Sequence, residues 1–112
     1  LSLPLVALGL GCSIAPKTFQ SLSNPSAIVR ARAVGLGTQL PEGRVIPSLI
    51  ERLNDADAVV RLSANEELRR RTGEDFGFVP WADASERAPA VQRWQNWWEG
   101  RKATLARSGR MP

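Results

Sequence analysis

The sequence predicts an all-α fold: a short α-α solenoid of about two helical hairpins, closed at its C-terminal end by a Trp-rich capping helix. Three observations lead there. A segment repeats with a period of 31 residues, Leu22–Ala33 aligning with Leu53–Ala64, and a period of that length marks stacked supersecondary units. Apolar residues of the second copy recur at helical rather than alternating spacing. All four tryptophans lie in the eighteen residues Trp81–Trp98, directly after the repeat, where a two-unit stack would otherwise leave an apolar flank in water. With 112 residues, 43% of them hydrophobic, the chain has room for one such domain. Its organisation reads as an apolar leader over 1–15, the helical domain over 16–100 and a basic, flexible tail over 101–112.

The leader, Leu1 to Ile14 (LSLPLVALGLGCSI), has the length of a signal-peptide apolar region and falls short of the roughly 20 residues that span a bilayer. It is read as a truncated signal, its true start missing. It ends Gly9-Leu10-Gly11-Cys12-Ser13, which resembles the lipobox of bacterial lipoproteins. The resemblance implies lipidation of Cys12 and attachment to the membrane of the bacterial cell envelope. Gly11 fits the position before the Cys; Leu10 is bulky for its place, and Gly9 stands where that family usually has Leu. In the alternative reading Cys12 is an inert residue of a signal cut elsewhere, or of an apolar segment packed on the domain, and the chain is cytoplasmic if there is no signal. As the only cysteine, it has no disulfide partner within the chain.

In the first repeat unit a short outer helix is expected near Pro16–Ser23. Asn24 and Pro25 then supply a cap and a first-turn proline for a helix running to about Gly37. The second unit is better formed. Ile46, Leu49, Ile50 and Leu53 stand at i, i+3, i+4 and i+7, which predicts an outer helix from about Arg44 to Asn54 with Pro47 in its first turn. After the turn at Asn54–Asp57, Asp57 can cap an inner helix on which Val60, Ala64 and Leu68 recur every four residues. Thr72-Gly73 ends it, Gly supplying the left-handed conformation. Arg69, Arg70 and Arg71 lie in its last turn, opposing the negative end of the helix dipole.

Asp55, Asp57, Val60, Arg61 and Ala64 give this second unit its resemblance to HEAT repeats, whose inner helix opens with an Asp-rich turn followed by Val-Arg and, three residues on, Ala. The resemblance covers about residues 18–73. It implies a side-chain ladder between neighbouring units, Asp55 with Arg30 or Arg61, weakened in the first unit where Asn24 replaces the aspartate. It also implies a concave inner-helix surface for a protein partner of unknown identity, with Arg30, Arg61 and Asn65 as candidate contact residues.

Beyond Gly73 the chain reads Glu74-Asp75-Phe76-Gly77-Phe78-Val79-Pro80-Trp81 and then a helix starting near Asp83 or Ser85, Glu86 standing at capping-box distance from Asp83 and Pro89 close behind. Val91, Trp94 and Trp98 share a face and Trp97 flanks it. Phe76, Phe78 and Trp81 are expected to fold back with this helix as a cap, each Trp burying on the order of 150–250 Å². The arrangement resembles the aromatic loop and Trp-rich helix that close some bacterial HEAT-repeat proteins. The competing reading is an exposed Trp cluster that stacks sugars or bases.

The net charge of +4 lies entirely in the tail, where Arg101, Lys102, Arg107 and Arg110 have no acid among them. A neutral body argues against nucleic acid as the main partner. Polyanion binding, to nucleic acid or an anionic membrane, through this tail is the alternative function. The absence of histidine rules out imidazole chemistry and Cys/His zinc sites. No nucleophile–base pair, carboxylate pair or phosphate loop is visible, so the chain is expected to be a non-catalytic protein-interaction scaffold, without catalytic, metal or cofactor residues.

Overall fold

The computed structural model describes residues 18–109. Within them the chain is all-helical, with four α-helices and no strand: α1 (Ala27–Ala33), α2 (Glu42–Arg52), α3 (Ala58–Thr72) and α4 (Ala84–Arg107). Two 3-10 turns, Phe19–Ser23 and Val34–Gly37, flank α1. The leader and Cys12 lie outside the described residues. No helix among the described residues is long and apolar enough to cross a membrane.

The short outer helix expected in the first unit is reduced to the first 3-10 turn, which buries Phe19 and Leu22. The α1 boundary also differs from expectation. Ser26 is its N-cap, and the α-helix ends at Ala33, tightening into the second 3-10 turn. Gly37 explains why the chain closes there: a Cβ on it would lie 3.0 Å from both Phe19 Cδ1 and Val45 Cγ2, so only hydrogen lets the turn approach the next unit.

Helix α2 starts two residues earlier than the pattern suggests, with Pro41 as its N-cap. Pro47 therefore sits in the second turn, at the cost of one backbone hydrogen bond. The helix forms because Val45, Ile46, Leu49 and Ile50 present one buried face. Helix α3 is as expected. The Asp57 carboxylate accepts from the Val59 and Val60 amides at 2.8 and 3.4 Å, and Gly73 ends the helix at φ 76°. Val60, Ala64 and Leu68 are fully buried.

Helices α1 and α2 each pack on α3, and α4 packs on α2. Asp83 and Glu86 form the capping box of α4, Glu86 Oε1 accepting from the Asp83 amide at 3.3 Å. Trp94 and Trp98 join Phe78 and the α2 residues in one hydrophobic core. The tail expected to begin at residue 101 does not begin there: α4 continues to Arg107 and buries Leu105.

Candidate functional site

The repeat is structural as well as sequential. Asn24 Oδ1 accepts from the Ser26 amide at 2.8 Å and Asp55 Oδ1 from the Asp57 amide at 2.9 Å, the same turn 31 residues apart. The arginines repeat it. Arg30 Nη1 donates to the Asn24 carbonyl at 2.9 Å and Arg61 Nη1 to the Asp55 carbonyl at 2.7 Å. Each arginine therefore closes its own unit's turn and donates from Nε to a later segment of the chain.

For Arg30 that neighbour is Asp55, which accepts from Nε and Nη2 at 2.9 Å each. Arg52 completes the junction, donating to Asp55 Oδ2 at 3.1 Å and to the Leu22 carbonyl at 3.4 Å. Burial pushes the Asp55 carboxyl up, but the bonds from Arg30 and the Asp57 amide and the charges of Arg30 and Arg52 outweigh it and hold its pKa below the ordinary value. The bond to Asp55 raises Arg30 in turn. Of the two partners that the HEAT resemblance offered Asp55, its carboxylate takes Arg30. Arg61 instead donates from Nε to the Pro80 carbonyl at 2.6 Å.

These bonds move the candidate contact surface. Arg61 and Asn65 are buried, at 9% and 4% exposure, and Arg30 is engaged between units. A guanidinium removed from water must keep its acceptors, so Arg30 and Arg61 join segments, while Asn65 is buried and makes no such bond.

Facing water at equivalent positions of the two units are Ile28 and Val59, 55% and 60% exposed. Leu62, one turn along from Val59 on α3, is 39% exposed. Trp81, expected in the cap, is 72% exposed and Val79 is 43% exposed. Pro80, bound to Arg61, holds these two beside the start of α3. Asp75 pairs with Arg69 at 3.4 Å near the other end of that helix, so the segment 75–81 runs back along α3. The cap itself consists of Trp94 and Trp98, both buried, with Phe76 edge-on to Trp94 at 4.7 Å and the half-buried Trp97 edge-on to Trp94 at 6.0 Å.

No family model matches the chain, and no curated protein or solved structure is significantly similar to it.

The basic residues are largely paired. Arg69 bonds Glu66 at 2.9 Å, while Arg70 and Arg71 share Glu67. Arg101 donates from Nε and Nη2 to the two Glu42 oxygens at 3.1 and 2.9 Å, and Lys102 pairs with Glu99 at 3.2 Å. Arg107 donates to Thr104 Oγ1 at 3.2 Å, and Arg110 lies outside the described residues. The Glu42–Arg101 pair borders a cleft of about 1000 Å³ between the start of α2, the end of α3 and the second half of α4. Among the described residues no cluster of His, Cys, Asp or Glu could hold a metal ion. The i,i+3 pairs on α3 could have been read from spacing; Glu42 with Arg101, 59 positions apart, could not.

Proposed function

We propose that this chain is a non-catalytic protein-protein interaction scaffold of HEAT-repeat type, which holds its partner on the apolar row Ile28, Val59, Leu62, Val79 and Trp81. The observation that carries the reading is the repetition of an exposed apolar residue at Ile28 and Val59, on helices that pack against each other. Single exposed apolar residues are ordinary, but one that recurs with the repeat, together with exposed Leu62, Val79 and Trp81, is the composition of an interface core. The solenoid reading is supported by the Asn24/Asp55 turns and by arginines that tie each unit to its neighbouring segment. In it, α1 and α3 are inner helices and the row is their concave surface. Trp81 is the anchor, since buried aromatics dominate interface energetics.

Attachment to the bacterial cell envelope rests on the leader and on Cys12. Mass spectrometry of the natively expressed protein tests it: a lipid-bearing Cys12 at a new N-terminus supports it, and an unmodified Cys12 removes it. Polyanion binding through the C-terminal end is weaker, because Arg101 and Lys102 are paired internally. The interaction reading is tested by photo-crosslinking from positions 59 and 81 in the native cell, with exposed Gln92 as control. One protein captured from both row positions and not from 92 is the expected result. Adducts equal to the control at all three would sink the scaffold reading.

A further inference from the structure

We propose that the cleft between α2, α3 and α4 is a second binding site, for a short zwitterionic peptide whose carboxylate meets Arg71 and whose ammonium meets Glu74. The site lies at the C-terminal end of α3, away from the apolar row at its start, and does not depend on the protein-scaffold reading.

Charge selects the ligand. The guanidinium groups of Arg70, Arg71 and Arg101 line the cleft, and two of them are paired along a full edge. Arg101 gives Nε and Nη2 to Glu42, and Arg70 gives Nε and Nη2 to Glu67. Arg71 is left short of acceptors. Glu67 is buried, stands outside the cleft lining and, with both oxygens already on Arg70, takes only Nε of Arg71, at 2.9 Å. Arg71 Nη2 is shut from water with no acceptor, in a side chain that is 14% exposed. A buried donor without a partner is costly, and a carboxylate taken on the Nη edge would supply what is missing, in the two-bond geometry that a guanidinium favours.

Glu74 is the counterpart. It lines the same cleft, and its backbone amide donates to Thr72 Oγ1 at 3.0 Å. Its carboxylate has no hydrogen bond or ion pair among the described residues and does not pair with Arg71, three positions before it. An inorganic anion drawn to Arg71 would face this uncompensated carboxylate, and a simple cation drawn to Glu74 would face Arg71. A ligand that carries both charges complements both.

The rest of the lining suits a peptide between those charges. The cleft, of about 1000 Å³, is at the top of the range of about 300–1,000 Å³ in which small-molecule sites fall, more than a single amino acid fills. Asn96 accepts from Gln92 at 3.0 Å through Oδ1, which leaves its amino group to donate to a peptide carbonyl, and the Thr38 hydroxyl, also in the lining, can accept from a peptide N–H. Trp97 supplies apolar surface for a side chain. Its ring is held edge-on by Trp94, itself held by Phe76, so covering it needs little further ordering.

The test is titration of the full chain with alanyl-leucyl-alanine, its N-acetylated form and its C-terminal amide, followed by the Trp97 indole N–H resonance and calorimetry, with inorganic phosphate and phosphocholine as comparison ligands. The free tripeptide is expected to shift that resonance with a Kd below about 1 mM. Each blocked form, lacking one bond between charged groups, should bind at least about tenfold more weakly. Glu74→Gln alters a carboxylate without a protein partner and so leaves the core intact; it should weaken the free peptide about tenfold and the acetylated peptide not at all. The amide probes Arg71 without a substitution that would take a partner from Glu67. The proposal fails if the free tripeptide binds with a Kd above about 1 mM, if either blocked form binds as well as the free one, or if Glu74→Gln weakens both peptides alike or neither. It fails equally if phosphocholine matches the tripeptide, or if phosphate binds more tightly than the tripeptide and with a steep salt dependence, which would make the cleft an anion site.

Discussion

Replacing Asp55 should be the most damaging polar substitution in the molecule. Its side chain is 2% exposed and accepts from Arg30 twice, from Arg52 and from the Asp57 amide. Removing one partner of a buried pair costs about 3–5 kcal/mol. Arg30 is itself 14% exposed and keeps the Asn24 and Pro25 carbonyls at 2.9 and 3.0 Å, so its charge is not stranded and Asp55→Ala belongs at the lower end, about 3 kcal/mol. Asp55→Asn keeps the turn, as Asn24 does naturally, but offers Arg30 one oxygen instead of two; about 1.5 kcal/mol is expected. Urea unfolding followed by Trp fluorescence and circular dichroism measures both variants. Acid adds an independent check. Because the folded-state pKa of Asp55 is lowered, the pair's contribution is complete above the unfolded value of about 3.9 and is lost as pH falls through the lower folded value. Wild type should therefore lose more stability than Asp55→Asn on acidification from about pH 5. An Asp55→Ala cost below about 1 kcal/mol, typical of a surface pair, or parallel acid profiles for wild type and Asp55→Asn, would refute the junction as drawn.

Two glycines two positions apart should respond with opposite sign. Gly37→Ala drives a methyl into Phe19 and Val45 and should cost about 1–3 kcal/mol, whereas Gly35, with nothing within 4 Å, should accept Ala with a gain of up to about 1 kcal/mol; thermal unfolding of both decides. Trp94→Ala, at a fully buried site, should cost about 3–5 kcal/mol, while Trp81→Ser should change stability by less than about 0.5 kcal/mol yet abolish crosslinking of the partner from position 59. Arg101→Ala, which breaks a pair about 40% exposed on each side, should cost no more than about 1 kcal/mol, and high salt should erase the difference from wild type.

Most of the fold is legible in the sequence because its determinants are local. The α3 cap at Asp57, its Gly73 terminus, the buried stripes of α2 and α3 and the Asp83–Glu86 box are all set by residues within a few positions of one another. The features that escape a sequence reading depend on distance or on competing local signals. Pro47 reads as a first-turn proline, which hides the start of α2, because Pro41 already serves as the cap. A run of unopposed cations from residue 101 reads as a solvated tail, and the acid that pairs Arg101 stands at position 42. The cleft draws on α2, α3 and α4, and no local pattern announces it.

The contact surface escapes for a different reason. Arg30 and Arg61 stand out because they repeat, but a charged residue that repeats at a unit boundary can be retained by the joint between units as easily as by a partner. Burial decides for the joint: each guanidinium has backbone carbonyls to satisfy, and its stem is packed where the segments meet. The apolar residues carry the opposite information. Val60, Ala64 and Leu68 define the core-facing line of α3, and at 3.6 residues per turn Val59 stands about 100° away from it. The same holds for Ile28 beside the buried Val29. A residue that is apolar in both units while off the core line is not required by the core, and its recurrence needs another cause. That distinction is present in the sequence, and it selects the row Ile28, Val59 and Leu62 over the arginines as the surface to mutate first.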